Sequence, residues 1–350
     1  MLKRMLVFIA ACFYYSGLVK LARWWRERRG RSLVVLNYHR ATGGTLHRHL
    51  LYLRRHYRIL HLEAALEELY TLRKEEKPYR RDRRTLLALT FDDGYSDNYS
   101  YGFALAHALQ VPFTIFLIPG YLESGDYFWW LEGRRLVRRA QVSEATIEGH
   151  TYHLNKTDER NALARAIDTG LRYATSIAGR EAFLMSVRNV LAVPSSIVPE
   201  EEPALPLKWS EVREMEKSGW VSFGGHTMNH PILAYLTDPV EMQREIEECR
   251  TMLEQQLGHH IRTFAYPVGH LQHIGGDVPH AVQQADYNWA FTTMYGFNTA
   301  QSNRYLLRRV EVDVSQHWLV MAAATAGLWG FFSRLRWIPT VRNYLMNSHH

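Results

Sequence analysis

Two adjacent carboxylates stand at the end of an apolar run, in the segment Thr90-Phe91-Asp92-Asp93-Gly94. Neighbouring strand residues face opposite sides, so Asp92 and Asp93 diverge unless the strand already ends, and Gly94 allows that turn. Like charges this close raise each other's pKa unless a cation or hydrogen bonds stabilise them. A metal ion meets that need, so the segment indicates a metal site.

A pair of histidines supplies further candidate ligands for such an ion. His226 and His230 lie four residues apart after the apolar run 220–223, and on a helical turn this spacing places both side chains on one face. About one such pair is expected by chance among 18 His in 350 residues, and two core or solvated histidines are the alternative. Both motifs follow predicted strands that can be neighbours in one sheet, which favours a shared site.

Two histidines and one carboxylate, with a position left for water, are the ligands of a catalytic zinc site. Iron, cobalt and nickel accept the same ligands, so the identity of the metal stays open. Only one aspartate is needed as a ligand, and the other is free to act as a base on a water whose pKa the ion lowers. The chemistry indicated is metal-assisted hydrolysis of a carbonyl compound. Magnesium-dependent phosphate chemistry is less favoured, because magnesium prefers oxygen ligands throughout.

These two motifs resemble those of the polysaccharide deacetylase (NodB-homology) family of metal-dependent carbohydrate de-N-acetylases. Three further segments match in the same order, namely Asn37-Tyr38-His39-Arg40, Phe264-Ala265-Tyr266-Pro267-x-Gly269 and Leu307-x-Arg309-Val310. The resemblance extends from about Leu33 to about Val314.

The resemblance implies a role for each charged residue of the two motifs. Asp92 is expected to be the general base. Asp93, His226 and His230 are expected to hold a divalent metal, with zinc as the first choice and cobalt, nickel or iron as alternatives.

The segment after the predicted strand 263–266 is expected to line the substrate groove. By resemblance, Tyr266, Pro267 and Gly269 bind the substrate there, and a backbone N–H stabilises the oxyanion. The chain departs from the commonest family pattern at Ala265, where many members carry an Arg that braces the catalytic Asp.

A second departure concerns the general acid. Many members supply it from a Leu-x-His motif, but the stretch 307–310 reads Leu-Arg-Arg-Val. The chain instead resembles the branch of the poly-N-acetylglucosamine deacetylases, in which an early Tyr-His motif supplies the acid. We therefore predict His39 as the acid and Arg309 as a partner for Asp92. The alternatives are a structural His39, a structural ion pair at Arg309, and His317 as the acid.

Apolar runs alternate with helical patterns along the middle of the chain. The predicted strands are Leu33–Tyr38, Thr85–Phe91, Val111–Ile118, Val221–Phe223, Thr263–Tyr266, Trp289–Thr293 and Leu306–Val312. The predicted helices include Leu62–Leu72, Asn98–Leu109, Trp209–Ser218 and Asp238–Leu257. The alternation predicts an α/β fold with a parallel sheet, and the resemblance implies an irregular (β/α)7-type barrel. The candidate site residues would then lie at the C-terminal ends of the strands.

One insertion, residues 124–206, interrupts the alternation. It is expected to be mostly helical, with a small hairpin around Thr146–Leu154. It opens with Tyr127-Phe128-Trp129-Trp130, whose rings either stack on sugar rings or anchor the insertion on the barrel. We favour anchoring, because aromatic side chains dominate packing energetics.

Both ends of the chain combine uncharged runs with basic residues. The run Met5–Val19 is shorter than the roughly 20 residues that span a bilayer, and no signal-peptide cleavage site precedes the basic cluster after it. The Trp and Arg side chains that follow the run suit the headgroup region of a bilayer, so residues 1–31 are expected to associate with a membrane, with a helix packed on the domain as the alternative. The barrel is assigned to 32–315. The tail 316–350 contains a second uncharged run, expected either to associate with the membrane or to close the barrel.

The net charge limits the kinds of partner, and the cysteine count limits the disulfide bonds. The net charge of +7 fits anionic lipid headgroups, and nucleic acid is not favoured because no binding motif accompanies the charge. If the first run inserts, the positive-inside rule predicts the cytoplasmic face of the inner membrane, and an exported, membrane-anchored enzyme is the alternative. Two cysteines exclude a disulfide framework. The oligomeric state stays open.

The expected function is metal-dependent removal of N-acetyl groups from an amino sugar in a polysaccharide or a lipid-linked glycan. A cytoplasmic membrane location favours the lipid-linked glycan. The alternatives are a deformylase or O-acetyl esterase that uses the same site, and an inactive, membrane-associated glycan-binding protein.

Overall fold

Seven parallel strands close into a barrel in the computed structural model, which describes residues 2–42, 44–71, 82, 84–194 and 205–328. The strands are β1 (Leu33–Tyr38), β2 (Arg58–Ile59), β3 (Leu86–Phe91), β4 (Phe113–Leu117), β5 (Glu144–Ile147), β6 (His150–His153), β7 (Val221–Gly225), β8 (Thr263–Ala265), β9 (Trp289–Tyr295) and β10 (Leu307–Glu311). The α-helices are α1 (Leu2–Tyr15), α2 (Leu18–Arg29), α3 (Leu46–His56), α4 (Leu62–Thr71), α5 (Ala104–Leu109), α6 (Pro119–Ser124), α7 (Trp129–Arg139), α8 (Thr157–Arg172), α9 (Ile177–Val190), α10 (Trp209–Lys217), α11 (Pro239–Leu257), α12 (Leu271–Ile274), α13 (Val278–Gln284) and α14 (Trp318–Thr325). A π-helical segment, Asn98–Phe103, precedes α5, and a 3₁₀ turn covers Leu233–Tyr235.

The order of strands around the barrel is β1-β10-β9-β8-β7-β4-β3, and β3 pairs again with β1. The closing pair runs the full length of both strands, because Leu33–Tyr38 pair one to one with Leu86–Phe91. The predicted α/β fold of (β/α)7-barrel type is therefore confirmed. The sequence pattern missed β2, which pairs with the first residues of β3, since two residues are too few to show a periodicity.

Alternate residues of the barrel strands belong to two separate apolar cores. In β3, Ala88 packs inside the barrel with Phe116 and Phe291, whereas Leu87 and Leu89 pack against the surrounding helices. A period of two is expected for strands that are covered on both faces. Inward positions near the C-terminal ends of the strands are therefore the ones that can reach a common site.

The chain between α6 and α10 forms a mostly helical insertion with a core of its own. Helix α7 packs on α8, α8 on α9, and β5 and β6 form an antiparallel hairpin. Tyr95, Ile118 and Tyr121 of the barrel loops join the core of the insertion. The insertion is thus seated on the C-terminal side of β3 and β4, next to the aspartate pair.

The two N-terminal helices pack on the last described helix. Ala10 of α1 is buried against Leu319 of α14. Arg26 of α2 donates hydrogen bonds to the carbonyl groups of Thr325 and Ala326, at 2.8 and 2.9 Å. Together these contacts fix both helices on the outside of the barrel.

Among the described residues no single helix is long and apolar enough to cross a membrane. Helices α1 and α2 together reach that length and composition, but they are bent by 64° relative to each other. The second uncharged run begins as α14, which is buried against the domain. Residues 329–350, the rest of the predicted C-terminal segment, lie outside the described residues.

Helix α4 closes the end of the barrel at which the strands begin, and one substitution tests this role. Leu66, fully buried in the interior core, is expected on replacement by Ala to lower the free energy of unfolding by about 2–5 kcal/mol, measured by urea unfolding. Leu51→Ala in α3, at a position 45% exposed, is the matched control and should cost less than about 0.5 kcal/mol. Equal losses in the two variants would contradict the role of α4.

Candidate active site

Strand β3 ends at Phe91, and the chain turns sharply at the two aspartates. Asp93 and Gly94 both adopt left-handed φ angles, of 72° and 74°, so the alternation of the strand does not continue through the pair. Asp92 and Asp93 are only 2% and 3% exposed. Two adjacent carboxylates are therefore buried at the C-terminal end of one strand, where each needs a stabilising partner.

Arg309 of β10 is the partner of Asp92. Its Nη1 and Nη2 lie 2.7 and 2.8 Å from Oδ1 and Oδ2 of Asp92, and the guanidinium also donates to the Thr292 carbonyl and the Thr90 hydroxyl. Burial alone would raise the pKa of Asp92, but the charge of Arg309, assisted by His226, holds this pKa below its usual value. Asp92 is therefore ionised although it is buried.

Asp93 instead faces the two histidines. Its Oδ1 lies 3.5 Å from Nε2 of His226 and 3.6 Å from Nε2 of His230. All three side chains are buried, and within the described part of the chain Asp93 Oδ1 has no hydrogen-bond partner. Ligand atoms about 2.1 Å from a tetrahedral ion lie about 3.4 Å apart, so the arrangement fits a divalent metal.

The two histidines lie on an irregular loop after β7. Thr227 and His230 have left-handed φ angles of 65° and 54°, and these bring both imidazoles to one side. The Thr227 hydroxyl donates to the His226 carbonyl (2.6 Å) and accepts from the His230 N–H (2.9 Å). The prediction of a helical turn was therefore wrong, because side-chain hydrogen bonds replace the helical ones here.

A buried carboxylate in α11, Glu245, holds this loop from behind. Its Oε1 and Oε2 accept hydrogen bonds from the side-chain and backbone N–H groups of Asn229, at 2.6 and 2.8 Å. Burial raises the pKa of Glu245, and the bonds from Asn229 oppose that rise. Glu245 was not predicted from the sequence, although it stands at four-residue spacing in an apolar stripe with Cys249 and Leu253. An acid at such a position is the signal that could have identified it.

His39 follows β1, and its side chain is exposed in the same region. The loop that carries it is held by Asp97, whose buried Oδ2 accepts hydrogen bonds from Arg40 Nε (2.9 Å) and from the N–H groups of Ala41 and Thr42 (3.2 and 3.1 Å). Asp97 was not predicted as a site residue, because its hydrogen-bond partners lie more than 50 residues away in the sequence. It fixes the backbone next to His39.

His39, Asp93 and His230 line a cavity of about 450 Å³ at the C-terminal ends of the strands. Asp92 and His226 are buried and are not among the described residues that line it. The barrel contributes, among others, His39, Asp93, His230, Glu311 and Asp313, and the insertion contributes Trp129, Trp130, Arg134 and Arg172. A cavity of this size is typical of a small-molecule site or of a site for one unit of a polymer. Its place in the barrel is that of the active sites of parallel α/β barrels.

The sequence of residues 79–179 and 181–289 matches the profile of one family, described as polysaccharide deacetylase. The chain belongs to this family. The match covers more than half of the chain and includes the aspartate pair and both histidines, so the recognition made from the motifs is confirmed. A polysaccharide deacetylase is a hydrolase of amide bonds. Comparison of the sequence with curated proteins gives no match.

Solved structures share the fold of this deacetylase. The deacetylase PplD of Streptococcus pyogenes, in complex with acetate, has 17% identity and a TM-score of 0.53, over 84% of this chain and 98% of that chain. A de-N-acetylase from Aggregatibacter actinomycetemcomitans has 14% identity and a TM-score of 0.52, over 84% of this chain and 99% of that chain. At these identities the similarity shows the fold alone.

In this polysaccharide deacetylase, a guanidinium reaches Asp92 from β10, although the position at which many members carry Arg is occupied by Ala265 in β8. Ala265 is fully buried, and its carbonyl accepts a hydrogen bond from Nδ1 of His226 at 2.7 Å. This bond leaves Nε2 of His226 facing Asp93, the orientation that a metal ligand requires.

Tyr266, Pro267 and Gly269 lie in the wall of the barrel and are not among the described residues that line the cavity. The Tyr266 hydroxyl donates to the Tyr305 carbonyl (2.8 Å), and its N–H donates to the Phe291 carbonyl (3.1 Å). The Gly269 N–H donates to the Pro267 carbonyl (2.6 Å). Both N–H groups therefore already have protein partners, and the role of these three residues in substrate binding stays a prediction.

The aromatic residues that open the insertion anchor it and also contact His230, a candidate metal ligand. Phe128 and Trp129 are 0% and 3% exposed, and Trp129 Nε1 donates to the His230 carbonyl at 2.9 Å. The Trp130 ring lies 4.4 Å from the His230 ring. The expected anchoring is therefore seen. Both tryptophans also line the cavity, and their stacking on sugar rings stays a prediction.

Replacing Arg309 by Met is expected to lower the free energy of unfolding of the metal-free protein by about 3–5 kcal/mol, because it leaves the buried Asp92 without its counter-charge. The double variant Arg309→Met, Asp92→Asn should recover much of this loss, since it removes the orphaned charge as well. Urea unfolding of the three proteins measures both values. A loss that the second substitution does not change would contradict the pairing.

The same ion pair predicts a pH dependence. The pKa of Asp92 is lowered in the folded protein, so the pair stabilises the fold above the unfolded-state pKa of about 3.9 and this contribution is lost as pH falls through the folded-state pKa. The difference in stability between the metal-free parent protein and Arg309→Met should therefore shrink as pH falls, first because burial without Arg309 raises the pKa of Asp92 in the variant, and then because the parent protein loses the ion pair below about pH 4. A difference that stays constant through this range would exclude ionised Asp92 as its source.

Glu245→Ala is expected to weaken zinc binding about tenfold or more, although no candidate ligand is removed, because the loop that carries His226 and His230 loses its hydrogen bonds to Glu245. Titration calorimetry with zinc, after chelation, measures the change, and circular dichroism verifies the fold. Glu247→Ala, on the exposed face of the same helix, is the matched control and should bind zinc like the parent protein. Similar affinities of the two variants would rule out the bracing role.

Proposed function

We propose that this chain is a metal-dependent deacetylase that hydrolyses the acetamide of an amino sugar in a polysaccharide or a lipid-linked glycan. The proposal rests on the divided aspartate pair. Asp92 is neutralised by Arg309, whereas Asp93 presents an unpartnered oxygen to two histidines. One carboxylate is therefore available for proton transfer, and the other completes a metal-ligand set.

Asp92 acts as the general base that takes a proton from the attacking water. Arg309 keeps it ionised at neutral pH, and each of its oxygens retains acceptor capacity beside the bond to the guanidinium. The rigid two-point contact also fixes the plane of the carboxylate. These properties suit a base that must stay charged in a buried site.

Asp93, His226 and His230 would hold the divalent ion, zinc being the first choice for this ligand set. The bound ion supplies the Lewis acidity that polarises the acetamide carbonyl and activates water. The protein orients its ligands through hydrogen bonds behind them, from His226 to the Ala265 carbonyl and from Asn229 to Glu245.

His39 is suited to protonate the leaving amine, because it lines the same cavity as Asp93 and His230. When the C–N bond breaks, the amine nitrogen takes a proton from His39 and acetate is released. His317, the alternative acid, caps α14 by accepting a hydrogen bond from the Leu319 N–H. It is not among the described residues that line the cavity.

Relatives and cavity chemistry support an N-acetylated sugar as the substrate. The two similar structures are of a deacetylase in complex with acetate and of a de-N-acetylase. Trp130 and Tyr95 line the cavity, and aromatic rings of this kind stack on the apolar faces of sugars. The Tyr38-His39 motif, which resembles that of the poly-N-acetylglucosamine deacetylases, makes N-acetylglucosamine the first sugar to test.

Acetate release from N-acetylglucosamine oligomers tests the proposal. The chelated protein should regain release when zinc is returned, and Asp92→Asn should abolish release while it keeps zinc binding. Asp286→Asn, at a carboxylate 72% exposed, is the matched control and should remain active. N-formyl and O-acetyl sugars are assayed in parallel. Slower hydrolysis of both than of the N-acetyl sugar would exclude the deformylase and the esterase. Failure to bind zinc would reject metal dependence, and bound zinc without release would reject the proposed substrate.

His39→Gln is expected to lower kcat for the N-acetylated sugar by about 100-fold or more. It should slow the hydrolysis of an aryl acetate much less, because a phenolate leaves without being protonated. Both rates are measured on one preparation, with His153→Gln, at an exposed position of the hairpin, as the control. An equal decrease on both substrates would show that His39 is not the acid.

A further inference from the structure

Helices α1 and α2 expose a row of apolar side chains. On α1, Met5, Phe8 and Tyr15 are 41%, 70% and 78% exposed, and on α2, Leu21 and Trp25 are 55% and 53% exposed. Their spacings of three, four and seven residues place each set on one helical face. These five residues are named the apolar stripe.

The opposite face of the same helices is bound to the domain. Ala10 and Val19 are 0% and 1% exposed, and Ala10 packs with Leu319 of α14. Arg26 fixes the far end of α2 through two carbonyl groups at the C-terminal end of α14. The helix pair could cross a bilayer only by giving up these contacts, so it is held in an orientation that keeps the stripe on the surface.

Positive charge is concentrated on the same segment. Residues 1–31 contain eight Lys and Arg and one Glu, so they carry a formal charge of +7, which equals the net charge of the whole chain. Arg28 lies 4.1 Å from the ring centroid of Trp24, and Arg29 lies 5.0 Å from that of Trp25. Adjacent Trp and Arg side chains are typical of protein surfaces at the headgroup level of a membrane.

A second copy of the chain is a poor occupant for this surface. A symmetric dimer across the stripe would bring two segments of charge +7 together, and like charges across an interface are unfavourable. Anionic lipid headgroups complement the charge, and acyl chains complement the apolar side chains.

We propose that the apolar stripe docks on the surface of an anionic phospholipid bilayer, with α1 and α2 lying in the plane of the interface. The stripe enters the boundary between headgroups and acyl chains, and the basic residues at its end contact lipid phosphates. This inference goes beyond the proposed function and does not rest on it.

The docked surface is close to the active-site cavity in the fold. The ring of Tyr14 in α1 lies 5.0 Å from the ring of Trp318, the first residue of α14. Trp318 follows Val314, a residue of the cavity wall, by four positions. Helix α14 therefore connects the docked helices to the chain segment that forms one wall of the cavity.

The chain offers a selective position for a probe. Cys12 is exposed, and the second cysteine, Cys249, is buried. Cys12 lies between Phe8 and Tyr15 on the exposed side of α1. The emission of a polarity-sensitive thiol dye on Cys12 should shift to the blue when vesicles of phosphatidylcholine and phosphatidylglycerol are added. Vesicles of phosphatidylcholine alone should cause no shift. High salt should reverse the shift, because it screens the attraction to the anionic lipid.

Matched substitutions separate the docking surface from the rest of the protein. Arg28→Gln and Arg29→Gln should each weaken vesicle binding about fivefold, and Phe8→Ser with Leu21→Ser should abolish the shift of the dye. Controls are Arg244→Gln and Met185→Ser, at exposed positions away from the stripe, and both should bind vesicles like the parent protein. Vesicle sedimentation gives the affinities.

Each outcome of these assays decides the inference. The inference is overturned if the emission of the dye does not shift, or if the stripe substitutions leave vesicle binding unchanged. It is also overturned if light scattering shows a dimer without lipid and the dye cannot reach Cys12 in that dimer. Failure of the proposed function is distinguishable, because Asp92→Asn should retain vesicle binding. Conversely, the stripe variants should retain acetate release from water-soluble oligomers.

Discussion

The buried ion pair between Asp92 and Arg309 is the interaction on which the site depends. Two adjacent carboxylates cannot both stay ionised in an apolar interior unless each has its own counter-charge. Arg309 pairs with Asp92 through two short hydrogen bonds, and the carboxylate of Asp93 lies with His226 and His230 in a cluster that could hold a metal ion. The closed barrel makes this division feasible, because it brings the inward side of β10 across to the end of β3.

Inward positions of neighbouring strands can serve one another's roles in such a barrel. The arginine that braces the catalytic aspartate in many members of the family would come from the position of Ala265, but here it comes from Arg309, two strands away in the barrel order. The guanidinium also lies over Phe116 at 5.6 Å, a residue that shares the interior core with Ala265. The position of the guanidinium beside the aspartate is therefore kept, although a different strand supplies the arginine.

Local patterns predicted the seven barrel strands, several of the helices and the members of the charged cluster, because each depends on periodicity or on residue type at a strand end. Barrel closure came from the family resemblance, since alternation alone also fits an open sheet. Glu245 and Asp97 escaped prediction because their roles arise from contacts with distant backbone. Tyr266 was expected in the groove, but hydrogen bonds beyond β8 place it in the core. The membrane association of residues 1–31 stays a prediction.

Thr227 combines an unfavourable backbone with an indispensable hydroxyl. A β-branched residue at a φ of 65° is a conformational outlier, and such strain costs on the order of 1–3 kcal/mol. Its hydroxyl nevertheless joins the carbonyl of His226 to the N–H of His230, the two candidate metal ligands. Glycine at this position would relieve the backbone strain and so favour thermal stability, but it would remove the hydroxyl that fixes the two imidazoles. In the loop 226–230, stability and the fixed geometry of the two histidines therefore require different residues at the same position.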